Sequence, residues 1–510
     1  MRALRRLGTT LTMLCVLTAC ATAPLDVPKA QSFVIANTGG TALAEASDDW
    51  RSDQPGSNGF YPLLEGLDAF GARLALMHKA EVSIDAQYFL MKPDDAGLVF
   101  AAQLLDAADR GVRVRLLLDD VFTTVQDEGL AVLNSHPNVQ VRIFNPVSRN
   151  GAYAVNYAAN FKLANRRMHN KSLIVDNQVA IIGGRNIAVE YFQLQTAGEF
   201  IDFDILAAGP IVHEVSGSFD HYWNDSLAIP LEALHPGSDR RGQEEGLEWL
   251  RQQMAASGDS IYARAISTEL MQRFYADELP PFYADARLLV DDPEKLREPV
   301  SRQHQIVATN IRTELLGAES EIIIYTPYFI PRESGLQLIR ELRARGVRIV
   351  VVTNSLATNN HTAVHAAYSR YRKDLLKTGV ELWEARADAV TIAGQDASTD
   401  LTGLTLHTKG ILVDRRLVIV GSLNLDPRSI DINTELVMFV QSPQLAGQLT
   451  EAAIASIPQI AYRLQLDDSG DLIWHANIDG RPITERQEPQ TTWWKRFSAW
   501  VQKMVPEDQL

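Results

Sequence analysis

The chain is poor in cysteine, in long apolar runs and in net positive charge. Its 510 residues include two cysteines, Cys15 and Cys20, and carry a formal net charge of −15. Two cysteines near the N-terminus exclude a disulfide framework and a cysteine-based metal site in the body of the chain. Tight non-specific binding of nucleic acid rests on Lys and Arg that neutralise phosphates. The acidic balance therefore argues mildly against a nuclease, although it allows a local basic cleft.

The first 20 residues have the pattern of an export signal. Their charged end contains three arginines, Arg2, Arg5 and Arg6. The apolar stretch over residues 7–17 is shorter than the roughly 20 residues that a membrane-spanning helix needs. It ends in Leu-Thr-Ala-Cys20, which resembles the bacterial lipoprotein signal, cleaved before a cysteine that then carries lipid. We therefore expect lipidation of Cys20 and export to the periplasmic side, and Ala21 favours the outer membrane of a Gram-negative bacterium. The predicted lipoprotein signal peptide is residues 1–19. A plain signal peptide with an incidental cysteine is the alternative.

Composition and periodicity divide the rest of the chain. Residues 20–58 are rich in small and polar residues without sustained periodicity, which predicts a tether. Folded sequence begins near Phe60. The predicted units that follow are a first domain over residues 59–235, an insertion or linker over 236–300, a second domain over 301–465 and a C-terminal extension over 466–510.

An internal repeat organises the folded part. In the first half a predicted strand over residues 82–89 is followed by a predicted helix over 97–108. The string Arg-Gly-Val-Arg at 110–113 then leads into a buried strand. The second half repeats this order, with a strand over 322–329 and the same four letters at 345–348. Strands and helices that alternate in this way predict an α/β fold whose sheets are covered by helices.

Each half contains one His-x-Lys motif. The first copy is His169-x-Lys171-x4-Asp176-x6-Gly183-Gly184-x-Asn186, and the second is His407-x-Lys409-x4-Asp414-x6-Gly421-Ser422-x-Asn424. One such string can arise by chance. Two copies with identical internal spacing, each at the same place in a repeated domain, are a specific signal of a shared function.

The spacing within each motif predicts an antiparallel hairpin. Apolar runs flank each Asp, and residues two apart in a strand project to the same face, so His and Lys point together. A two-residue turn directly after the Asp, at residues 177–178 and 415–416, would place each His opposite its Asn. The same register places each Lys opposite a small residue, which leaves room for a substrate oxygen.

The residue types point to transfer of a phosphodiester. Two Lys and two Asn around one phosphate would offset its negative charge, most of all in the transition state. Such a site requires no metal or other cofactor. One neutral imidazole would attack phosphorus to form a phosphohistidine, and the other, protonated, would donate to the leaving alcohol. In the second step that imidazole would activate water or another alcohol.

Both motifs resemble those of the phospholipase D superfamily. The wider strings are similar to bacterial cardiolipin synthases, particularly the C type, at residues 165–171, 183–187, 190–192, 353–355, 375–382 and 421–429. The resemblance covers roughly residues 60–510. It implies two tandem phospholipase D-like repeats that form a bilobed αβαβα sandwich with one active site at the pseudo-twofold interface. It also implies that His169 is the nucleophile and His407 the acid.

Members of this superfamily also hold each histidine with a carboxylate some 28 to 35 residues later. The matching positions are Asp204 for His169 and Glu435 for His407, with Asp202 as the competing choice in the first copy. Such a carboxylate fixes the imidazole tautomer and raises its basicity. The two motif aspartates, Asp176 and Asp414, are candidates for proton transfer, but an Asp at the end of a strand is more often a turn former.

The resemblance implies a phosphatidyltransferase of cardiolipin synthase type that acts on membrane phospholipids, without a cofactor and without a nucleic-acid partner. One alternative is a phospholipase D that hydrolyses phospholipids to phosphatidic acid. Two more distant alternatives are a phosphodiester nuclease and a non-catalytic lipid-binding lipoprotein.

The C-terminal extension contains a predicted amphipathic helix. Its apolar residues at helical spacing are Trp493, Phe497, Trp500, Val501 and Met504. Basic residues lie between them, and a basic amphipathic helix with tryptophans suits a lipid interface. Packing of the helix against the domain is the alternative.

Overall fold

A computed structural model describes residues 23, 25–120, 127–149, 153–194, 200–235, 240–255, 261–276, 278–389, 404–478, 480–504 and 507. The predicted export signal and the predicted lipidation site Cys20 lie outside the described residues.

The described first half contains one mixed sheet. Its strands are β1 (Asn58–Leu63), β2 (Ser83–Tyr88), β3 (Arg113–Asp119), β4 (Val139–Phe144), β5 (Ser172–Val175), β6 (Val179–Gly183), β7 (Phe200–Ile201), β8 (Asp204–Ala208) and β9 (Ala228–Pro230). All except β7 belong to the sheet, in the order β9-β4-β3-β2-β5-β6-β8-β1. Strands β2, β3 and β4 are parallel and the remaining pairs are antiparallel.

The second half repeats this arrangement. Its strands are β10 (Phe282–Val290), β11 (Glu321–Tyr325), β12 (Arg348–Asn354), β13 (Glu381–Ala385), β14 (Thr405–Leu406), β15 (Gly410–Val413), β16 (Leu417–Gly421), β17 (Leu436–Gln441), β18 (Ala461–Leu466), β19 (Leu472–Ile478) and β20 (Arg481–Glu485). The order is β10-β17-β16-β15-β11-β12-β13-β18-β19-β20. From β10 to β13 it is the order of the first sheet from β1 to β4, so the predicted tandem repeat is confirmed.

Helices cover and separate the two sheets. They are α1 (Ala42–Trp50), α2 (Gly66–Lys79), α3 (Asp95–Asp109), α4 (Asp127–Asn134), α5 (Tyr153–Ala159), α6 (Phe161–Ala164), α7 (Ile211–Asn224), α8 (Leu231–Leu234), α9 (Arg240–Ala255), α10 (Ile261–Ile266), α11 (Glu269–Tyr275), α12 (Ile306–Leu316), α13 (Arg332–Ala344), α14 (Thr362–Tyr368), α15 (Arg372–Lys377), α16 (Pro443–Ile460) and α17 (Trp493–Gln502). None of these described helices combines the length and the apolar composition needed to cross a membrane.

The apolar core shows the layers. A central cluster contains side chains of both sheets, such as Ile205 and Val440, together with Phe219 of α7 and Ile457 of α16. Two outer clusters lie beneath the remaining helices of each half. The layer order is therefore helices, sheet, central helices, sheet, helices, and the predicted αβαβα sandwich is confirmed.

Two segments that were predicted to be peripheral contribute to the fold. Strand β10 lies within the expected insertion at 236–300, takes the place in the second sheet that β1 has in the first, and pairs with β1 at Phe60↔Phe282. Within the expected tether, Lys29 Nζ donates to the carbonyl of Ala228 at 3.0 Å, and Leu43 of α1 is buried. The described part of residues 25–58 is thus packed, because its scattered apolar residues meet surfaces that lie far away in the sequence.

Candidate active site

Each His-x-Lys motif forms a hairpin, but the register differs from the predicted one. The pairs are Val175↔Val179 in the first copy and Val413↔Leu417 in the second. The turn therefore begins at the Asp itself, and Asp176 has a left-handed φ of 51°. The prediction placed the Asp in the strand and was wrong by one residue. An Asp tolerates the left-handed conformation because its short side chain bonds to nearby backbone.

The motif aspartates anchor these turns. The Asp176 carboxylate accepts from the backbone N–H of Val82 and of Ser83, both at 2.8 Å. In the second copy Asp414 accepts from the N–H of Ser320 at 2.8 Å. Both carboxylates lie at the end of the hairpin away from the lysines. This geometry favours the structural role over proton transfer.

The two histidines lie where the halves meet. The segment before each His pairs in parallel with a segment of the opposite half, Met168↔Thr434 in one case and Leu406↔Ile201 in the other. The backbone N–H of His169 accordingly donates to the carbonyl of Thr434 at 3.0 Å. In the symmetric position His407 donates to Ile201 at 2.8 Å.

This pairing gives each imidazole a carboxylate from the other half. His169 Nδ1 lies 2.9 Å from Glu435 Oε2, and His407 Nδ1 lies 2.6 Å from Asp202 Oδ2. The predicted contacts, Asp204 with His169 and Glu435 with His407, are therefore wrong. Each contact assumed that a histidine and its carboxylate come from the same half, whereas the interface exchanges them.

Asp204 has a structural position instead. Its carboxylate is fully buried and lies 2.8 Å from Arg73 Nη2 and 3.3 Å from Arg185 Nη1. It is the first residue of β8 and pairs with Gly183. Asp202, two residues earlier, precedes β8 and reaches the interface, as Glu435 does just before β17.

The small residues of the motif leave room for these carboxylates. A Cβ atom on Gly183 would lie 2.1 Å from Asp204 Oδ1, and one on Gly184 would lie 2.1 Å from Asp202 Oδ1. In the second copy Ser422 replaces Gly184. Its hydroxyl donates to Glu435 Oε2 and accepts from the backbone N–H of Leu436.

The lysines lie against the histidines. Lys171 Nζ donates to the carbonyl of His169 at 2.6 Å. Lys409 Nζ donates to the carbonyl of His407 and lies 2.8 Å from its Nδ1. Since Nδ1 already faces the Asp202 carboxylate, we assign its proton to that bond. Nε2, which lies 3.3 Å from Lys409 Nζ, is then the nitrogen that can act on a substrate.

The two motif asparagines differ in their contacts. Asn186 is fully engaged, because its Oδ1 accepts from the N–H of Leu90 and its Nδ2 donates to the Tyr191 hydroxyl at 2.8 Å. Asn424 is also buried, but among the described residues its Oδ1 has no hydrogen-bond partner. A buried polar atom without a partner is costly, so this atom is available to a ligand.

Aromatic rings pack against both imidazoles. The Phe89 ring meets His169 edge-on at 4.9 Å. Tyr191 meets His407 edge-on at 5.0 Å, and Phe200 stacks on it at 5.2 Å with an interplanar angle of 6°. These residues were not predicted from the sequence. The aromatic end of the first predicted strand, at Phe89, was the available signal.

One further missed residue positions the His169 segment. The Asp119 carboxylate, at the end of β3, accepts from the N–H of Met168 at 2.8 Å and from Arg167 Nη1 at 3.2 Å. Ligand sites in open α/β sheets lie beyond the carboxyl ends of the strands. The place of Asp119 at the carboxyl end of a buried strand was therefore the available signal.

Burial and the neighbouring lysines lower the pKa of both histidines. Burial lowers the pKa of His169 well below its usual value, and both Lys171 and Lys409 lower it further. Burial, Lys409 and Lys171 lower the pKa of His407 to about 3 against the opposing effect of Asp202. Each lysine thus also acts on the histidine of the other copy, in agreement with the crossed His–carboxylate contacts that join the two motifs in one site.

The lysines and carboxylates are also shifted. Burial lowers the pKa of Lys171 to about 7 and that of Lys409 to about 8. Burial raises the pKa of Glu435 to about 7. Burial also acts to raise the pKa of Asp202, but Lys409 and His407 outweigh it and the pKa is lowered. Such a site is poised to take up an anion, because negative charge would favour the protonated forms of its bases.

Comparison with known proteins agrees with this arrangement. A family model described as "Cardiolipin synthase, PLD-like domain" matches residues 74–223 and 311–455, one match for each half. Cardiolipin synthase C of Escherichia coli (strain K12) is 37% identical over 479 residues, which cover 92% of this chain and 99% of that protein. An uncharacterised protein of Helicobacter pylori (strain ATCC 700392 / 26695) is 31% identical over 468 residues, 90% of each chain.

A solved structure is similar in fold. The crystal structure of phosphatidylserine synthase from Haemophilus influenzae Rd KW20 superposes with a TM-score of 0.56, over 90% of this chain and 96% of that chain. The two sequences are 13% identical. At that level the likeness supports the two-repeat fold alone.

Proposed function

The chain belongs to the phospholipase D-like family of cardiolipin synthases, and from this premise we propose that it is a phosphatidyltransferase acting on glycerophospholipids. The observation that carries the proposal is the single composite site, in which His169 contacts Glu435 and His407 contacts Asp202 across the interface of the halves. Two imidazoles held in this way, each with a lysine beside it, match the needs of one phosphodiester.

The first step is attack on the donor lipid. Glu435 accepts a hydrogen bond from the Nδ1–H of His169 and so directs the Nε2 lone pair towards phosphorus. The bond between Nε2 and phosphorus forms as the bond from phosphorus to the headgroup alcohol breaks. His407, charged through the negative phosphate and the Asp202 carboxylate, gives its Nε2 proton to the leaving oxygen. Lys171 and Lys409 offset the charge on the remaining phosphate oxygens.

The second step returns the enzyme to its starting state. His407, now neutral, takes a proton from an acceptor alcohol, whose oxygen attacks phosphorus while the bond to His169 breaks. The acceptor must compete with water at about 55 M. A bound and oriented headgroup can provide an effective molarity of order 10⁵ M or more, so transfer wins only if the acceptor has a binding site. For a cardiolipin synthase that acceptor is a second phospholipid.

We also propose that the protein is an exported lipoprotein attached through Cys20 on the periplasmic side, in the outer membrane. The support is the N-terminal sequence pattern. Membrane phospholipids are then both its surroundings and its substrates.

Product analysis tests the proposal. The full chain is incubated with mixed vesicles of phosphatidylglycerol and phosphatidylethanolamine, and lipids and released alcohols are quantified. We expect cardiolipin, with free glycerol or ethanolamine, and no product from the His169→Ala control. If phosphatidic acid is the only lipid product at every acceptor concentration, the protein is a hydrolase and the transferase proposal fails.

A further inference from the structure

The C-terminal helix α17 exposes an aromatic face. Trp493 is 65% exposed, Trp494 65% and Trp500 67%. The rings form a stacked series, in which Trp493 and Phe497 lie 5.4 Å apart at 9° and Phe497 and Trp500 lie 6.0 Å apart. Exposed apolar clusters of this kind mark interaction surfaces. We call the face formed by Trp493, Trp494, Phe497 and Trp500 the aromatic face.

The opposite side of α17 holds the helix on the second half. Ala499 is buried there, and α17 packs on α14. Lys495 Nζ donates to the carbonyl of Ala357 at 2.9 Å. Beyond the helix, Glu507 accepts from Tyr371 at 2.6 Å. The helix is therefore fixed in the fold by contacts that leave the aromatic face free.

These contacts place the aromatic face beside the active site. Ala357 lies in the loop that follows β12, and its neighbour Thr358 accepts at its carbonyl from Thr405 Oγ1 at 3.0 Å. Asn354, the last residue of β12, makes two hydrogen bonds with the backbone of Leu406, at 2.8 and 2.9 Å. Leu406 directly precedes His407. Two short contacts thus connect the docked helix to a catalytic segment.

The first half also exposes apolar side chains near the site. Val155 on α5 is 62% exposed and Phe161 on α6 is 45% exposed. Helix α6 ends just before Asn165, which accepts from Arg428 at 2.6 Å. Because Arg428 also acts on the pKa of His169, this region adjoins the same site. Exposed apolar groups therefore flank the active site on both halves.

The residue types of α17 indicate a lipid surface as its partner. Tryptophan combines an apolar body with a polar N–H and favours the region between headgroups and acyl chains. The charged residues of positions 493–503 are all basic. Lys495 is held in the contact with Ala357, whereas Arg496 is half-buried and Lys503 is exposed. A basic segment on a chain of net charge −15 complements anionic phospholipid rather than another copy of this acidic protein.

We propose that the aromatic face docks the protein onto the interfacial region of an anionic phospholipid bilayer and brings the active site to its substrate. The second part of this proposal, that docking brings the active site to its substrate, rests on the proposed function. It adds to the predicted Cys20 anchor a second membrane contact, near the other end of the chain, that orients the site.

The test compares two variants of the full chain. The docking variant carries Trp493→Ser, Phe497→Ser and Trp500→Ser. The matched control carries Trp249→Ser and Ile454→Ser, which remove exposed apolar residues on α9 and α16. Turnover is measured on phosphatidylglycerol vesicles and on monomeric dihexanoyl phosphatidylglycerol. Co-sedimentation of the protein with phosphatidylglycerol vesicles reports docking independently of turnover.

We expect the docking variant to lose about tenfold or more of vesicle turnover and most of the vesicle binding, because its buried apolar area in the interface is removed. Its turnover on the monomeric lipid should stay within about twofold of the wild type, and the control should retain both activities. Unchanged vesicle turnover and vesicle binding would overturn the inference. A loss of self-association with vesicle binding unchanged would identify the face as a contact between copies, and would overturn it too. A wild type that binds vesicles but turns over neither lipid would defeat the proposed function and leave docking supported.

Discussion

The two halves of the molecule place equivalent histidines in unequal electrostatic surroundings. His407 faces Asp202, whose pKa is lowered by Lys409 and His407 despite its burial. His169 faces Glu435, whose pKa is raised to about 7, chiefly by burial. Both carboxylates stand at the same place in the repeated fold, just before β8 and β17, and each crosses to the other half.

The repeated backbone sets the arrangement of the two His–carboxylate pairs, whereas individual side chains set the charge of each pair. The backbone of each half positions one histidine and one carboxylate, and that carboxylate contacts the histidine of the other half. The side chains around each pair then set its charge. An ionised Asp202 supports a protonated His407, the form that an acid requires. A Glu435 that ionises only near neutral pH supports the positive charge on His169 less, as suits a nucleophile.

The largest expected effect follows from removing either histidine. His169→Ala and His407→Ala should each reduce phosphatidyl transfer by at least about 10³-fold, and the double variant should be no slower than the singles, because the groups act as one unit. Initial rates on phospholipid vesicles measure this. Substantial turnover by either single variant would mean two independent sites, and the halves would then not be complementary.

A smaller loss should follow when a crossed carboxylate is neutralised. Asp202→Asn and Glu435→Gln should each reduce turnover by about 10²-fold, since the tautomer of the partner imidazole is no longer held. The imidazole NMR signals identify the partner. Asp202→Asn should shift the Nδ1–H signal of His407 and leave that of His169 nearly unchanged. The reverse pattern would contradict the exchange between halves, and Asp204→Asn, which should shift neither signal directly, is the matched control.

The smallest expected effect is in the pH dependence of stability. A pKa raised in the folded state means that the folded protein binds the proton more tightly than the unfolded chain does. The contribution of Glu435 is therefore fully present below its ordinary pKa of 4.5 and is lost as pH rises through about 7. A shift of this size corresponds to roughly 3 kcal/mol.

Urea unfolding at pH 5 and pH 7 measures this contribution. The unfolding free energy of the wild type should fall between pH 5 and pH 7, and Glu435→Gln should remove that fall. Asp202→Asn should leave that fall in place, because a lowered pKa contributes stability above about pH 4 and loses it only in acid. If both variants behave alike, the two carboxylates are electrostatically equivalent and the comparison of the halves fails.

Much of the fold could be predicted because the relevant signals are local. The alternation of strands and helices and the repeated strings predicted two α/β units, and His169 and Lys171 lie on one hairpin as their spacing indicates. Strand β10 escaped prediction, because its place is defined by pairing with β1 and β17, which lie far from it in the sequence. The hairpin register failed by one residue, because Asp176 bonds to the backbone of residues 82 and 83 rather than continuing the strand.

The sequence by itself determined the family, the repeat and the His, Lys and Asn sets, since these depend on residue types at fixed spacings along one segment. Only the tertiary structure decided that Asp202 and Glu435 serve the histidines, and that each serves the one in the opposite half. Asp202 rather than Asp204 reaches a histidine because β8 begins at Asp204, which leaves Asp202 outside the strand. The exchange depends on two sheets that pack around a pseudo-twofold axis, where distances are set by contacts between residues more than 200 positions apart.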